Sequence, residues 1–95
     1  MDKQTQLLFL DDEQHILNAL KRTFVNELYA IATTTDAGEA MSVIAREKIK
    51  VVVSDQRMPG VSGVEFLRYV KDQYPGIVRI LFTGYTDFAT VEDAI

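Results

Sequence analysis

Apolar residues fall in short bursts along this chain, and the bursts alternate between two spacings. Leu7-Leu8-Phe9-Leu10 is a continuous apolar run stopped by Asp11-Asp12-Glu13, which predicts a buried strand with acids at its exit. Ile16, Leu17, Leu20 and Phe24 then recur at helical spacing, with Asn18, Lys21 and Arg22 on the other side; acids in that helix's first turn suit its dipole. Tyr29 to Thr33 predicts a second strand, although its alanines are poor strand formers. Asp36 followed by Glu39 is a capping-box pattern, with Ala40, Met41, Ile44 and Ala45 as the apolar stripe of the second helix behind it.

Val51-Val52-Val53 reads as a strand buried on both faces that delivers Asp55 to the point where strand gives way to loop. Pro59-Gly60 stops any regular continuation. Ser62 and Glu65 repeat the capping pattern, and Val64, Phe66, Leu67 and Val70 carry a third helix to about Tyr74, ended by Pro75-Gly76. Ile77 to Phe82 is the fourth strand and hands over to Thr83-Gly84. Asp87 caps an expected fourth helix through Phe88, Val91 and Ile95. Strands that are apolar throughout, alternating with helices, mean parallel βα units with helices on both faces. The expected class is α/β, a doubly wound parallel sheet in the pattern βαβαβαβα.

Composition adds bounds rather than detail. At 95 residues, 47% hydrophobic and 25% charged, the chain has the size and make-up of one small globular domain. A net charge of −4 argues against direct contact with nucleic acid or an anionic membrane. The absence of cysteine excludes disulfides, thiol nucleophiles and thiolate metal sites, and fits a cytoplasmic location. No apolar run approaches membrane-spanning length.

The chemistry gathers at strand exits: Asp11 and Asp12 after the first strand, Asp55 after the third, Thr83 after the fourth. Singly, each has an ordinary explanation. An aspartate after a strand is usually a turn residue, Asp-Asp-Glu at a helix start is usually capping, and Thr-Gly is a common loop opening. If the first, third and fourth strands are neighbours, however, these residues converge at the switch point where open α/β sheets bind ligands. Carboxylates that close together repel unless a cation joins them, and hard oxygen donors without sulfur or histidine suggest Mg2+. A carboxylate beside such an ion can attack a phosphoryl group and form an aspartyl phosphate. Thr83 would offer a hydroxyl to a phosphoryl oxygen, and Gly84 would leave room for the anion.

Phe9-Leu10-Asp11-Asp12-Glu13, Ser54-Asp55-Gln56-Arg57-Met58-Pro59, Gly63 four residues after that proline, and Phe82-Thr83-Gly84 stand in this order across the chain. Jointly they resemble the receiver domain of bacterial two-component response regulators, over residues 1–95. The resemblance implies a sheet of order 2-1-3-4-5 and a phosphoryl group accepted from a sensor histidine kinase or phosphotransfer protein. By position, Asp55 resembles the phosphoacceptor. Asp12 resembles the direct Mg2+ ligand, Asp11 the one acting through water, and Arg57 the donor of a backbone carbonyl. Thr83, with Gly84, resembles the switch and phosphoryl-binding pair.

The family pattern continues past Ile95 with a fifth strand, a fifth helix and a lysine that pairs with the phosphoryl group. The expectation is therefore a receiver truncated before the fifth strand, of order 2-1-3-4. Its fourth strand would be an unpaired edge, inviting a homo-oligomer through that strand and the fourth helix. Two other readings compete: a receiver-like interaction or dimerisation module that is not phosphorylated, and a small phosphohydrolase, which wants a second acid where Arg57 stands. The leading reading is a signalling domain, not an enzyme turning over a metabolite. The loop wording around Asp55 and after Gly84 looks like receivers tied to cyclic-dinucleotide phosphodiesterase or transcriptional output domains.

Overall fold

A computed structural model describes residues 3–82 and the backbone of Ala89 and Thr90. The elements are β1 Thr5–Leu10, α1 Gln14–Thr23, β2 Ala30–Thr34, α2 Ala37–Arg46, β3 Val51–Asp55, α3 Gly63–Gln73, β4 Val78–Phe82 and β5 Ala89–Thr90. The sheet order is β2-β1-β3-β4-β5. Strands β1 to β4 are mutually parallel, giving the expected 2-1-3-4 arrangement.

Period-two alternation divides the core between the two sheet faces. Leu8, Leu10 and Val52 point to one side and pack with Ala40, Val43 and Ile44 of α2 and Phe66, Leu67 and Val70 of α3. Phe9 and Val53 point to the other and pack with Leu17 of α1, joined by Leu20, Phe24, Ile80 and Phe82. Register locks the layers together: Phe9 lies opposite Val53, and Val53 opposite Ile80. A slip of one residue would turn each apolar set to the wrong face.

The helix caps follow the chemistry of their sequences. The Asp36 carboxylate accepts the Glu39 N–H at 2.7 Å. Ser62 and Glu65 form a reciprocal capping box. At α1 the arrangement differs from expectation. The helix begins at Gln14 with Glu13 at the cap position, so none of its acids lies in the first turn. Asp11 turns back and accepts the Glu13 N–H at 2.9 Å, which holds the acids in the preceding loop.

The sheet edge also differs. β5 runs antiparallel to β4, pairing Thr90 with Ile80 and Ala89 with Leu81. Ala89 and Thr90 are therefore strand, not part of the expected fourth helix, and β4 is not wholly an unpaired edge. An open row of β4 amide and carbonyl groups is a template for pairing, and a passing two-residue segment satisfies part of it. The remainder of the expected fourth helix lies outside the described residues, as do Thr83 and Gly84. Among the described residues, no helix is long and apolar enough to cross a membrane.

Candidate functional site

Strand pairing builds the site. Leu10 is in register with Ser54, so the neighbouring strands β1 and β3 release Asp11 and Asp55 side by side. Asp12 follows directly. The three aspartates bring one carboxylate oxygen each to within 4.8 Å of one another, a convergence that needed β1 and β3 to be neighbours. Asp11 is buried, Asp55 half-buried and Asp12 exposed.

Asp11 and Asp55 share the lining of a small cavity with Phe9, Ile16, Leu20, Val53 and Phe82. This apolar wall disfavours charge on both acids. Burial is the main reason the Asp11 pKa rises from 3.8 to about 6; the nearby Asp55, Asp12 and Glu13 charges add to it, against the Glu13 N–H bond. Burial likewise raises the Asp55 pKa, with Asp12 and Glu13 reinforcing it and the Gln56 backbone and the Arg57 guanidinium opposing. Three crowded oxygen donors, with no sulfur or imidazole among them, suit a hard divalent cation.

The loop after Asp55 is fixed by a residue that sequence reasoning passed over. Gln56 donates its N–H to Phe82 and accepts the Gly63 N–H on its backbone carbonyl, at 3.3 and 3.0 Å. Its side-chain Oε1 accepts the Val64 N–H at 3.0 Å. Gln56 thus ties β3 to β4 and to the first turn of α3. A polar residue directly after a strand aspartate was the only signal for it. Gly60 takes φ +88° within the same loop, a conformation that glycine adopts without strain. Arg57 lies exposed, two residues beyond Asp55. Thr83 and Gly84 would complete the group of predicted site residues and lie outside the described residues.

Comparison with known proteins agrees with this geometry. The chain is 45% identical over 86 residues to the hydrogenase transcriptional regulatory protein HoxA of Cupriavidus necator, covering 90% of this chain and 18% of that protein. It is 40% identical over 86 residues to the C4-dicarboxylate transport transcriptional regulatory protein DctD of Pseudomonas aeruginosa, covering 90% of this chain and 19% of that one. The chain thus spans about a fifth of the length of these relatives. The solution structure of the beryllofluoride-activated NtrC4 receiver domain dimer superposes with a TM-score of 0.77 at 32% identity, covering 86% of this chain and 68% of that one. Residues 7–95 match the response regulator receiver domain, and the chain belongs to that family of two-component signalling domains.

Proposed function

We propose that Asp55 accepts a phosphoryl group from the phosphohistidine of a sensor kinase or phosphotransfer protein. The observation that carries this reading is the half-buried Asp55 carboxylate at the β3 exit, gathered with Asp11 and Asp12. In the transfer a carboxylate oxygen of Asp55 bonds to phosphorus as the phosphorus–nitrogen bond to the donor imidazole breaks. Gln56 holds the loop so that Asp55 stays at the mouth of the crevice. The apolar wall of Phe9, Val53 and Phe82 limits water around it. Asp11, Asp12, Asp55 and the Arg57 carbonyl would hold Mg2+; bound there, the ion supplies positive charge against the carboxylates and the phosphoryl oxygens. Thr83 would offer its hydroxyl to the transferred group, beside Gly84.

Residues 1–95 act in this reading as a receiver domain within the cytoplasm, and the product is a signal, not a released metabolite. The named relatives are transcriptional regulators, which supports an output of that kind elsewhere in the protein. Self-association through the fourth strand and the expected fourth helix is part of the proposal; the dimer reported for the NtrC4 receiver supports self-association as such. Intact mass after incubation with acetyl phosphate and Mg2+ tests the acceptor. A single phosphoryl adduct is expected in the wild type and in neither Asp55→Asn nor the Mg2+-free control. A wild type that gains nothing would favour the non-phosphorylated interaction module.

A further inference from the structure

Among the described residues, Thr34 and Ser54 are the two hydroxyl residues that are buried. Ser54 is satisfied locally, donating to the carbonyl of its neighbour Asp55 at 3.0 Å. Thr34 reaches further. It ends β2 at 5% exposure, in register with Leu10. Its carbonyl accepts the Asp11 N–H at 3.2 Å, so the last rung of the β1–β2 ladder falls on the first acid of the cluster. Its hydroxyl accepts the Asp36 N–H at 3.1 Å and meets the Asp36 carbonyl at 3.4 Å. Asp36 is the N-cap of α2, and its carbonyl accepts the Ala40 N–H at 3.0 Å in the first turn of that helix. One buried residue thus fastens the acid loop on one side and the start of α2 on the other.

A ladder bond ends many strands; the hydroxyl is what distinguishes this one. Valine has the same shape and suits a strand equally well, and a buried hydroxyl costs free energy unless it is bonded. Here the bonds go to both backbone groups of the α2 cap residue, while Thr35 and Asp36 beyond it are exposed. Without the hydroxyl the turn between β2 and α2 loses its inward fastening. Two routes carry such a shift to the acids. Asp11 meets it through its own N–H, held on the Thr34 carbonyl. Asp12 lines one groove together with Thr35, Asp36 and Ala37, so it faces the turn directly. The acids offer oxygens within 4.8 Å of one another. A small divalent ion such as Mg2+ takes its donors at about 2.0–2.1 Å in near-octahedral geometry, so small displacements of those oxygens weaken its hold.

Resting on the Mg2+ site proposed above, we infer that Thr34 is a positioning residue for it: its hydroxyl sets the turn into α2, and that turn holds Asp11 and Asp12 at the spacing the ion requires. Calorimetric titration of wild type, Thr34→Val and Thr34→Ser with Mg2+ tests this, together with amide exchange followed by NMR with and without the ion. Thr34→Val should bind Mg2+ about tenfold more weakly, the lower end of what losing a partner behind the ligands costs. Thr34→Ser keeps the hydroxyl and should stay close to wild type. Coupling between two points is reciprocal, so in the wild type Mg2+ should slow exchange of the Asp36 and Glu39 amides about fivefold more than that of Glu47, which is bonded to Val43 at the far end of α2. A hydroxyl that only stabilises the fold would lower the urea midpoint of Thr34→Val and leave both readings unmoved. Wild-type affinity in Thr34→Val, equal weakening in Thr34→Val and Thr34→Ser, or slowing at Asp36 and Glu39 no greater than at Glu47 would each overturn the inference and leave the metal site standing. The last of these reads the wild type alone and decides the matter even if Thr34→Val does not fold. A wild type that takes up no Mg2+ would overturn the metal site and Thr34's part in it together.

Discussion

Gly63→Ala is the substitution that most directly joins the fold to the site. A Cβ at Gly63, the first residue of α3, would fall on the Asp55 carbonyl oxygen, 2.9 Å from that carbonyl's carbon and 2.8 Å from Leu81 Cδ1. Ordinary contact begins near 3.4 Å, so α3 must retreat from the end of β3 by more than half an ångström. Retreat stretches the bonds by which Gly63 and Val64 donate to Gln56, both 3.0 Å. Losing two such bonds costs about 1 kcal/mol each, and overpacking adds about 1–3 kcal/mol. The gain from replacing glycine in a helix is about 0.5–1 kcal/mol. The net expectation is a loss of about 2–4 kcal/mol, a large share of the roughly 5–15 kcal/mol that holds a small domain. In urea unfolding followed by circular dichroism, the midpoint should drop by about 1–3 M. Labelling of Asp55 by acetyl phosphate should drop with it, since the displaced atom is that residue's own carbonyl. Gly38→Ala is the control. Its Cβ meets only the Asp36 side chain, at 3.1 Å, and the expected change is within about 0.5 kcal/mol. If Gly63→Ala unfolds at the wild-type midpoint or above it, the close approach of α3 to Asp55 is not as described and the reasoning fails.

Asp11 makes stability depend on pH. Its pKa in the folded chain is about 6 against 3.8 ordinarily, so the folded state binds the extra proton. Its contribution is present in full below pH 4, falls as pH rises toward 6 and is gone above. Without divalent cations, Asp11→Asn should therefore raise the urea midpoint at pH 7.5 and flatten the profile between pH 4 and pH 6; a midpoint no higher than wild type at pH 7.5 would refute the assignment. Mg2+ should raise the melting temperature of the wild type and not of Asp12→Asn, and its affinity, measured by calorimetry, should fall as pH drops below about 6 because protons compete for Asp11. Ser62→Ala removes an acceptor that holds the Glu65 N–H at 3.1 Å and should cost about 1 kcal/mol by urea unfolding.

Most of the frame was legible because its signals are local. The apolar runs at Leu7–Leu10 and Val51–Val53 have no other use than a buried strand, and the pairs Asp36/Glu39 and Ser62/Glu65 cap helices wherever they occur. The acid cluster was legible at one remove. It needed β1 and β3 to be neighbours, which the local pattern left open and the resemblance to receiver domains implied. Contacts decided by three dimensions were not legible. Gln56 and Gly63 stood in the sequence only as members of the receiver motif; what each of them holds appears once β3, β4 and α3 are brought together. β5 answers the hydrogen-bonding demand of the β4 edge, while the local pattern at Ala89 and Thr90 suits a helix. Arg79 sits in a strand whose other positions are apolar, and nothing in the sequence says that this charged side chain is buried.

The site and the fold are one construction. The Asp55 carbonyl abuts Gly63, the next residue clasps the start of α3 and the end of β4, and Leu81 closes on the same glycine from the β4 side. A displacement of the Asp55 backbone therefore meets α3 and β4 at once, because a close-packed interior transmits small shifts instead of absorbing them. The side chain faces the opposite demand. It sits with Asp11 and Asp12 in a crevice where burial and like charge resist full ionisation, and relief comes only from a proton or a cation. Rigid support behind Asp55 and unrelieved charge in front of it are what a carboxylate needs if a change of charge at its tip is to be felt by the helix and strand that hold it.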